Sequence, residues 1–227
     1  MKAVILAAGV GTRLKPITLE TPKPLIEIGG KAIIDRIFAS LPSEVSEVVI
    51  VVDHLKDKIK SYVGEEFRGR KVFYIDQGEK KGTFGALLST RHLFEGDERF
   101  LVLNGDDIHD HEELEDCIKY PRSLGVQRML MPRYHNIILD NDGFVVGFKR
   151  QNDDENKEIL VATGAYVLDS NIFNHPGVMV GGNEYGLPQS VFAQLNKYPL
   201  KAVETNKWIP INSIADIELA DRNLSKL

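Results

Sequence analysis

Chemistry is concentrated near the start of the chain, where Gly9-Val10-Gly11-Thr12-Arg13 follows the apolar run Met1 to Ala8 and Pro22-Lys23-Pro24 comes shortly after. Gly9 and Gly11 let the backbone take positive φ and approach an anion, so that successive N–H groups can point at phosphate oxygens. Arg13 adds a planar fork of donors suited to phosphate. Lys23, stiffened by a proline on either side, adds a point charge. A glycine pair after a strand is as often a plain tight turn, and it is the two cations that turn the balance toward a polyphosphate site. A Walker A loop is excluded because Gly11 is followed by Thr12-Arg13, and a Rossmann fingerprint because Leu14 stands where the third glycine belongs.

Two further stretches offer chemistry. Asn104-Gly105-Asp106-Asp107 ends the apolar run Phe100 to Leu103. A carboxylate there, opposite a cationic phosphate loop, suits Mg²⁺, which takes one or two protein ligands and completes its shell with phosphate and water. Asp-rich clusters also end strands for conformational reasons alone. Gln77-Gly78-Glu79-Lys80-Lys81-Gly82-Thr83 pairs an amide that can read a base edge with a glycine that lets a helix start close beneath a ring. Equally, it is a charged loop before a helix N-terminus. His109 and His111 are expected in a solvated loop, and no G-x-S-x-G, H-E-x-x-H or paired-cysteine motif is present.

The elements that must carry these residues follow from periodicity. Val4-Ile5-Leu6 and Val45 to Val52 are continuous β-branched and aliphatic runs, as strands buried on both faces require, and Lys71 to Ile75 and Phe100 to Leu103 complete a set of four. Ala32 to Leu41, Leu55 to Val63 and Gly82 to Phe94 have helical spacing. This alternation predicts an α/β fold with a doubly wound, mainly parallel sheet, in which ligands bind beyond the carboxyl ends of the strands. Further on, Arg128 to Pro132, Asn136 to Leu139, Val145 to Phe148 and Leu160 to Leu168 are expected strands, with a hairpin turn at Asp140-Asn141-Asp142-Gly143. Gln151 to Glu158 reads as a charged loop. Leu187 to Leu195 and Ile214 to Leu224 read as helices, the last closing the fold. Residues 1–227 are expected to be a single domain whose α/β core carries a β-rich insertion.

With 33 acidic and 28 basic side chains the net charge is −5, which disfavours nonspecific nucleic-acid binding. One cysteine, Cys117, excludes an internal disulfide and is expected simply to pack. The opening apolar run is too short for a signal peptide and no run is long enough for a membrane span. A cytoplasmic protein with neither membrane nor nucleic-acid partner is therefore expected.

Leu6-Ala7-Ala8-Gly9-Val10-Gly11-Thr12-Arg13-Leu14 followed by Pro22-Lys23-Pro24-Leu25 resembles the signature of the sugar-1-phosphate nucleotidylyltransferases. The resemblance continues through Gln77, Gly82-Thr83, Asn104-Gly105-Asp106 and Thr163-Gly164. It implies a Rossmann-like sheet with a β-rich sugar-binding portion, and Mg²⁺-dependent transfer from an NTP, UTP or dTTP, to a sugar 1-phosphate. Carried over residue by residue, it places Ala8, Gly9, Gly11 and Thr12 around the nucleotide and Gln77, Gly82 and Thr83 on its base. Arg13 would meet the β and γ phosphates and Lys23 the reacting ones. Asp106 would be a metal ligand, and Gly164 and Glu184 would contact the sugar.

There are departures. Lys149-Arg150 stands where the family commonly has Glu-Lys, and Pro210 stands where many members have a second metal-binding Asp after a tryptophan, here Trp208. Asn212 matches the asparagine of the acetylglucosamine-1-phosphate uridylyltransferase branch, and is preferred to Asp216 as the second metal ligand. The chain ends directly after its closing helix, so no appended acyltransferase or β-helix domain is expected. Two other readings keep the same site: a cytidylyltransferase acting on phosphocholine or a related phosphorylated alcohol, and a noncatalytic sensor of sugar nucleotides. The sugar, the base and the oligomeric state stay open.

Overall fold

Strand β1 (Lys2–Leu6) lies at the centre of the sheet because its residues find apolar cover on both sides. Ala3 and Ile5 point to one face and Val4 and Leu6 to the other, as the period of two dictates, and all are buried. In the computed structural model, which describes residues 1–79, 81–130, 135–150 and 157–224, seven further strands join it. They are β2 (Glu47–Val52), β3 (Glu66–Phe67), β4 (Arg70–Asp76), β5 (Arg99–Asn104), β6 (Ser123–Met129), β7 (Ile159–Asp169) and β8 (Lys201–Glu204). The spatial order is β8-β6-β7-β5-β1-β2-β4-β3. Strands β5, β1, β2 and β4 are parallel neighbours, whereas β7 runs against β5 and β6, and the short edge strand β3 against β4. The expected mainly parallel, Rossmann-like sheet is what forms.

Helices α1 (Ile33–Ser40), α2 (Lys56–Val63), α4 (His111–Ile118) and α6 (Ile214–Leu224) cover the face of Ala3 and Ile5. Helices α3 (Gly82–Ser89) and α5 (Leu187–Phe192) cover the other, with Phe94, Phe100 and Phe173 packed ring to ring at centroid distances of 4.2 to 5.7 Å. Two antiparallel ribbons, His135–Leu139 with Val145–Arg150 and Val178–Gly181 with Glu184–Gly186, and two two-residue ladders, Glu27–Ile28 with Lys31–Ala32 and Asp107–Ile108 with Ile209–Pro210, add β structure beyond the main sheet. At the predicted hairpin turn, Asp140 Oδ1 accepts from Asp142 N at 3.0 Å and Phe144 N at 2.8 Å.

Several expectations need correction. Helix α3 stops at Ser89, and a single 3₁₀ turn, Arg91–Leu93, continues the chain. Strand β6 begins at Ser123, five residues before the expected Arg128. His109 is buried and not solvated, because it lies between a short strand, Asp107–Ile108, and the start of α4. The expected loop Gln151 to Glu158 lies largely outside the described residues, as do Lys80 and the end of the expected strand at Pro132. Cys117 packs in the core, its thiol pushed up to about 12 by burial. Among the described residues no helix is long and apolar enough to cross a membrane.

Candidate active site

Register places the candidate residues side by side along one edge of the sheet. Ala7 N donates to Val51 O at 2.9 Å as the chain leaves β1, Gln77 N to Val52 O at 2.9 Å as it leaves β4, and Gly105 N to Leu6 O at 2.9 Å as it leaves β5. Three loops that leave separate strands are thereby stitched together at the carboxyl ends, where an open α/β sheet binds its ligand. They enclose a cleft of about 700 Å³ lined by Ala8, Gly9, Gly11, Thr12, Arg13, Lys23, Gln77, Gly82, Thr83, Asp106, Glu184 and Asn212. Of the residues expected at the site, Gly164 alone lies behind this lining.

The cationic half is built from two single 3₁₀ turns, Thr12–Leu14 and Lys23–Leu25. Gly11 adopts φ 66°, and its carbonyl accepts from Thr18 Oγ1 at 2.8 Å, which closes the loop that presents Arg13. Arg13 Nη2 reaches Asn212 Oδ1 at 3.0 Å. Lys23 is 8% exposed and its ammonium is paired with the Asp106 carboxylate. Asp106 in turn remains open to the cleft.

Asp107 has a different environment from its neighbour. It is buried, and its carboxyl is held well above the usual carboxylate range by loss of water and then by the charge of Asp106; hydrogen bonds from Asn104 and Trp208 and the charge of Lys23 oppose this. Asn104 Nδ2 donates to Asp107 Oδ2 at 2.9 Å. Gly164, at φ +81°, forms the surface on which this pair rests: a Cβ there would come within 2.2 Å of Asn104 Nδ2 and 2.7 Å of Asp107 Oδ2.

The loop that carries Gln77 and Gly82 is tied to the second ribbon. Lys81 N donates to Asn183 O at 3.0 Å, and Tyr185 N to Lys81 O at 2.8 Å, so Lys81 and Glu184 face each other in a bridge. Gly82 has φ +80°, and a Cβ there would lie 2.6 Å from Tyr185 O. Thr83 Oγ1 accepts from Leu187 N at 2.9 Å, which fastens the start of α3 to that of α5, and Gln77 Nε2 donates to Gly82 O at 3.1 Å.

Asp53 and Lys81, paired at 2.8 Å, also line the cleft and are not among the residues expected there. Asp53 follows β2 directly, which is the signal that could have found it. At the C-terminal side, Asp216 Oδ2 accepts from the backbone N–H groups of Asn212 and Ser213 at 2.8 Å each, and Ser213 Oγ accepts from Asp216 N at 3.2 Å. This reciprocal cap uses the Asp216 carboxylate at the start of α6. Pro210 stands opposite Asp107 in a two-residue ladder, and Ile211 N donates to Asp106 O at 3.3 Å.

A model of the nucleotidyl transferase family matches residues 2–177. The chain belongs to this family. Among nucleotidyl transferase relatives, the bifunctional protein GlmU of Methanocaldococcus jannaschii is 33% identical over 175 residues, covering 76% of this chain and 41% of its own length. The chain therefore spans less than half of that bifunctional protein. The UTP–glucose-1-phosphate uridylyltransferase AglF of Haloferax volcanii is 31% identical over 204 residues, covering 84% of this chain and 82% of that one. The fold matches that of a UDP-glucose pyrophosphorylase solved with UDP-glucose, with TM-score 0.82, 20% identity and 99% and 98% of the two chains covered.

Proposed function

We propose that this nucleotidyl transferase moves a nucleotidyl group from an NTP, UTP or dTTP, to a sugar 1-phosphate, releasing pyrophosphate. The observation that carries this reading is one cleft lined both by Arg13, Lys23, Asp106 and Asn212, which pair as Arg13–Asn212 and Lys23–Asp106, and by Gln77, Gly82, Thr83 and Glu184, which are linked through the Gln77–Gly82 bond and the Lys81–Glu184 bridge. Cations and a carboxylate at one end suit phosphates; an amide and a glycine-opened helix start at the other suit a base.

A sugar-1-phosphate oxygen is already anionic near neutral pH, since the second phosphate pKa is about 6. It attacks the α-phosphorus in line; the new P–O bond forms as the bond to the β-phosphate oxygen breaks, and pyrophosphate leaves with that electron pair. No general base is needed, so the lack of a catalytic Ser or His is no obstacle. The work of the chain is to bring two anions together and hold them in line. Arg13 would grip the β and γ phosphates, Lys23 would face the reacting phosphates, and the N–H groups of the Gly9–Gly11 loop would neutralise charge without reorganising. Gln77 and Gly82 would read the base and Glu184 would accept from sugar hydroxyls.

Asp106 and Asn212 offer a carboxylate and an amide oxygen to the same cleft, the hard donors that Mg²⁺ takes. Among the described residues there is no cluster of three or more His, Cys, Asp or Glu side chains placed to hold a metal ion, and Mg²⁺ with phosphate and water ligands does not require one. When bound there, the ion would supply charge neutralisation on the phosphate oxygens.

The test is a pyrophosphate-release screen crossing UTP, dTTP, CTP, GTP and ATP with common sugar 1-phosphates and with phosphocholine, with and without Mg²⁺. Release confined to UTP or dTTP with a sugar 1-phosphate is the expected result. Turnover only of CTP with phosphocholine, or tight nucleotide binding without turnover of any pair, would overturn it.

A further inference from the structure

The segment that brings Asn212 into the cleft begins outside it. After β8, Thr205 N donates to Val126 O at 2.7 Å, and the chain then departs from the sheet edge. Two side chains take over there. Glu113 Oε1, on α4, accepts from Asn206 N at 2.7 Å and Lys207 N at 3.0 Å. Gln127, on β6, grips the next residue from both sides: its Oε1 accepts from Trp208 N at 3.1 Å, and its Nε2 donates to Trp208 O at 3.4 Å. Only then does the chain pair with Asp107–Ile108, pass Ile211 N to Asp106 O, and place Asn212 against Arg13.

We propose that Gln127 and Glu113 are positioning residues for the transfer reaction: they fix the segment 206–208 so that Asn212 reaches the phosphate end of the cleft. This rests on the function proposed above. Neither residue lines the cleft, and a Gln in the middle of a strand with a Glu on a neighbouring helix carries no motif. Yet both are directed onto one irregular three-residue segment. A side-chain amide that meets both the N–H and the C=O of one residue imitates a strand neighbour, so Gln127 supplies the ladder that the segment lost on leaving the sheet. With that support removed, the Asp216 cap would still hold the backbone of Asn212, but the approach from residue 206 to the Asp107–Ile108 ladder would lose its side-chain anchors, and with them the precision with which Asn212 meets Arg13.

The experiment measures pyrophosphate release over a Mg²⁺ series for the wild type, Gln127→Leu, Gln127→Glu, Glu113→Ala and Arg128→Ala, together with thermal midpoints and the emission of Trp208, the sole tryptophan. Residues that support a metal ligand without touching the metal cost about 10–100-fold in activity or metal affinity when lost, and Gln127→Leu and Glu113→Ala are expected to lower kcat by about that much. The nucleotide KM should stay within about threefold, since base and loop contacts are untouched. Half-maximal activity should need more Mg²⁺, and Trp208 emission should shift to the red. Gln127→Glu keeps the acceptor for Trp208 N but sets a second oxygen against Trp208 O, and should recover only part of the loss. Arg128→Ala, which removes an exposed pair with Glu204 one residue away, should behave as wild type.

The inference is overturned if folded Gln127→Leu and Glu113→Ala retain wild-type kcat and Mg²⁺ dependence, or if kcat falls only in step with the folded fraction. If the wild type transfers to no acceptor, the proposed function fails instead. The Trp208 emission shift then still decides whether the clamp holds the segment.

Discussion

Arg13 Nη2 and Asn212 Oδ1 meet at 3.0 Å although 199 positions separate them, so the opening loop is completed by the far end of the chain. A hydrogen bond to a charged group is worth about 1.5–3 kcal/mol. A double-mutant cycle of Arg13→Ala and Asn212→Ala on kcat/KM for pyrophosphate release should therefore return a coupling of at least about 1 kcal/mol. Strictly additive losses would mean that the two act separately.

Lys23 and Asp106 form the second long-range pair of the cleft. Loss of one preorganised charged donor aimed at a reacting group costs about 10²–10³ in kcat. Lys23→Ala is expected to lose that much in a pyrophosphate assay with an unchanged far-UV spectrum, and Asp106→Ala should also abolish the response to added Mg²⁺. Wild-type turnover in either variant would remove that residue from the reaction.

Gly164→Ala tests a residue that sits behind the cleft wall. Its φ of +81° already strains any L side chain, and the added methyl would overlap Asn104 Nδ2. The variant should lose about 1–3 kcal/mol of stability in urea titration, and, because Asn104 and Asp107 must shift, lose activity at temperatures where it is still folded. An unchanged urea midpoint would show that the pair yields without cost.

His109 makes acid stability measurable. Burial lowers its pKa from 6.5 to about 3, so between those values the unfolded chain binds a proton that the folded chain refuses. Stability contributed by the neutral ring is complete above pH 6.5 and is lost as pH falls toward about 3. Replacing His109 with Asn should flatten the pH dependence of the thermal midpoint across that window; an unchanged slope would point to the carboxylates alone.

The sheet was readable because Val4-Ile5-Leu6 and Val48 to Val52 leave no face for water, and the opening loop because a glycine pair after a strand is followed by Arg13 and by Lys23 between two prolines, two cations suited to phosphate. Helix α4 was hidden: Asp110-His111-Glu112-Glu113 reads as solvated, and its apolar face is essentially Leu114 and Cys117. Its signal was the cap, with Asp110 Oδ1 accepting from Glu112 N at 3.1 Å and acids in the first turn. Strand β8 is not legible because its four residues carry a mixed, half-exposed pattern and gain their place by pairing with β6 on one side and with Gly143 and Phe144 on the other. At the site, Lys81 looked like one of several loop lysines, and only the bridge to Glu184 gives it an address. Gly164 was legible as a glycine of interest, but its reason lies in the approach of Asn104, which local spacing cannot reveal.

That bridge has a further consequence. Lys81 and Glu184 are joined through main-chain bonds, and Thr83 holds the start of α5, so residues 81–83 and 183–187 are one connected unit. A chimaera that exchanges the ribbon alone would break this seam. If the proposed function holds, base preference and sugar preference should therefore change together when these segments are exchanged among related proteins.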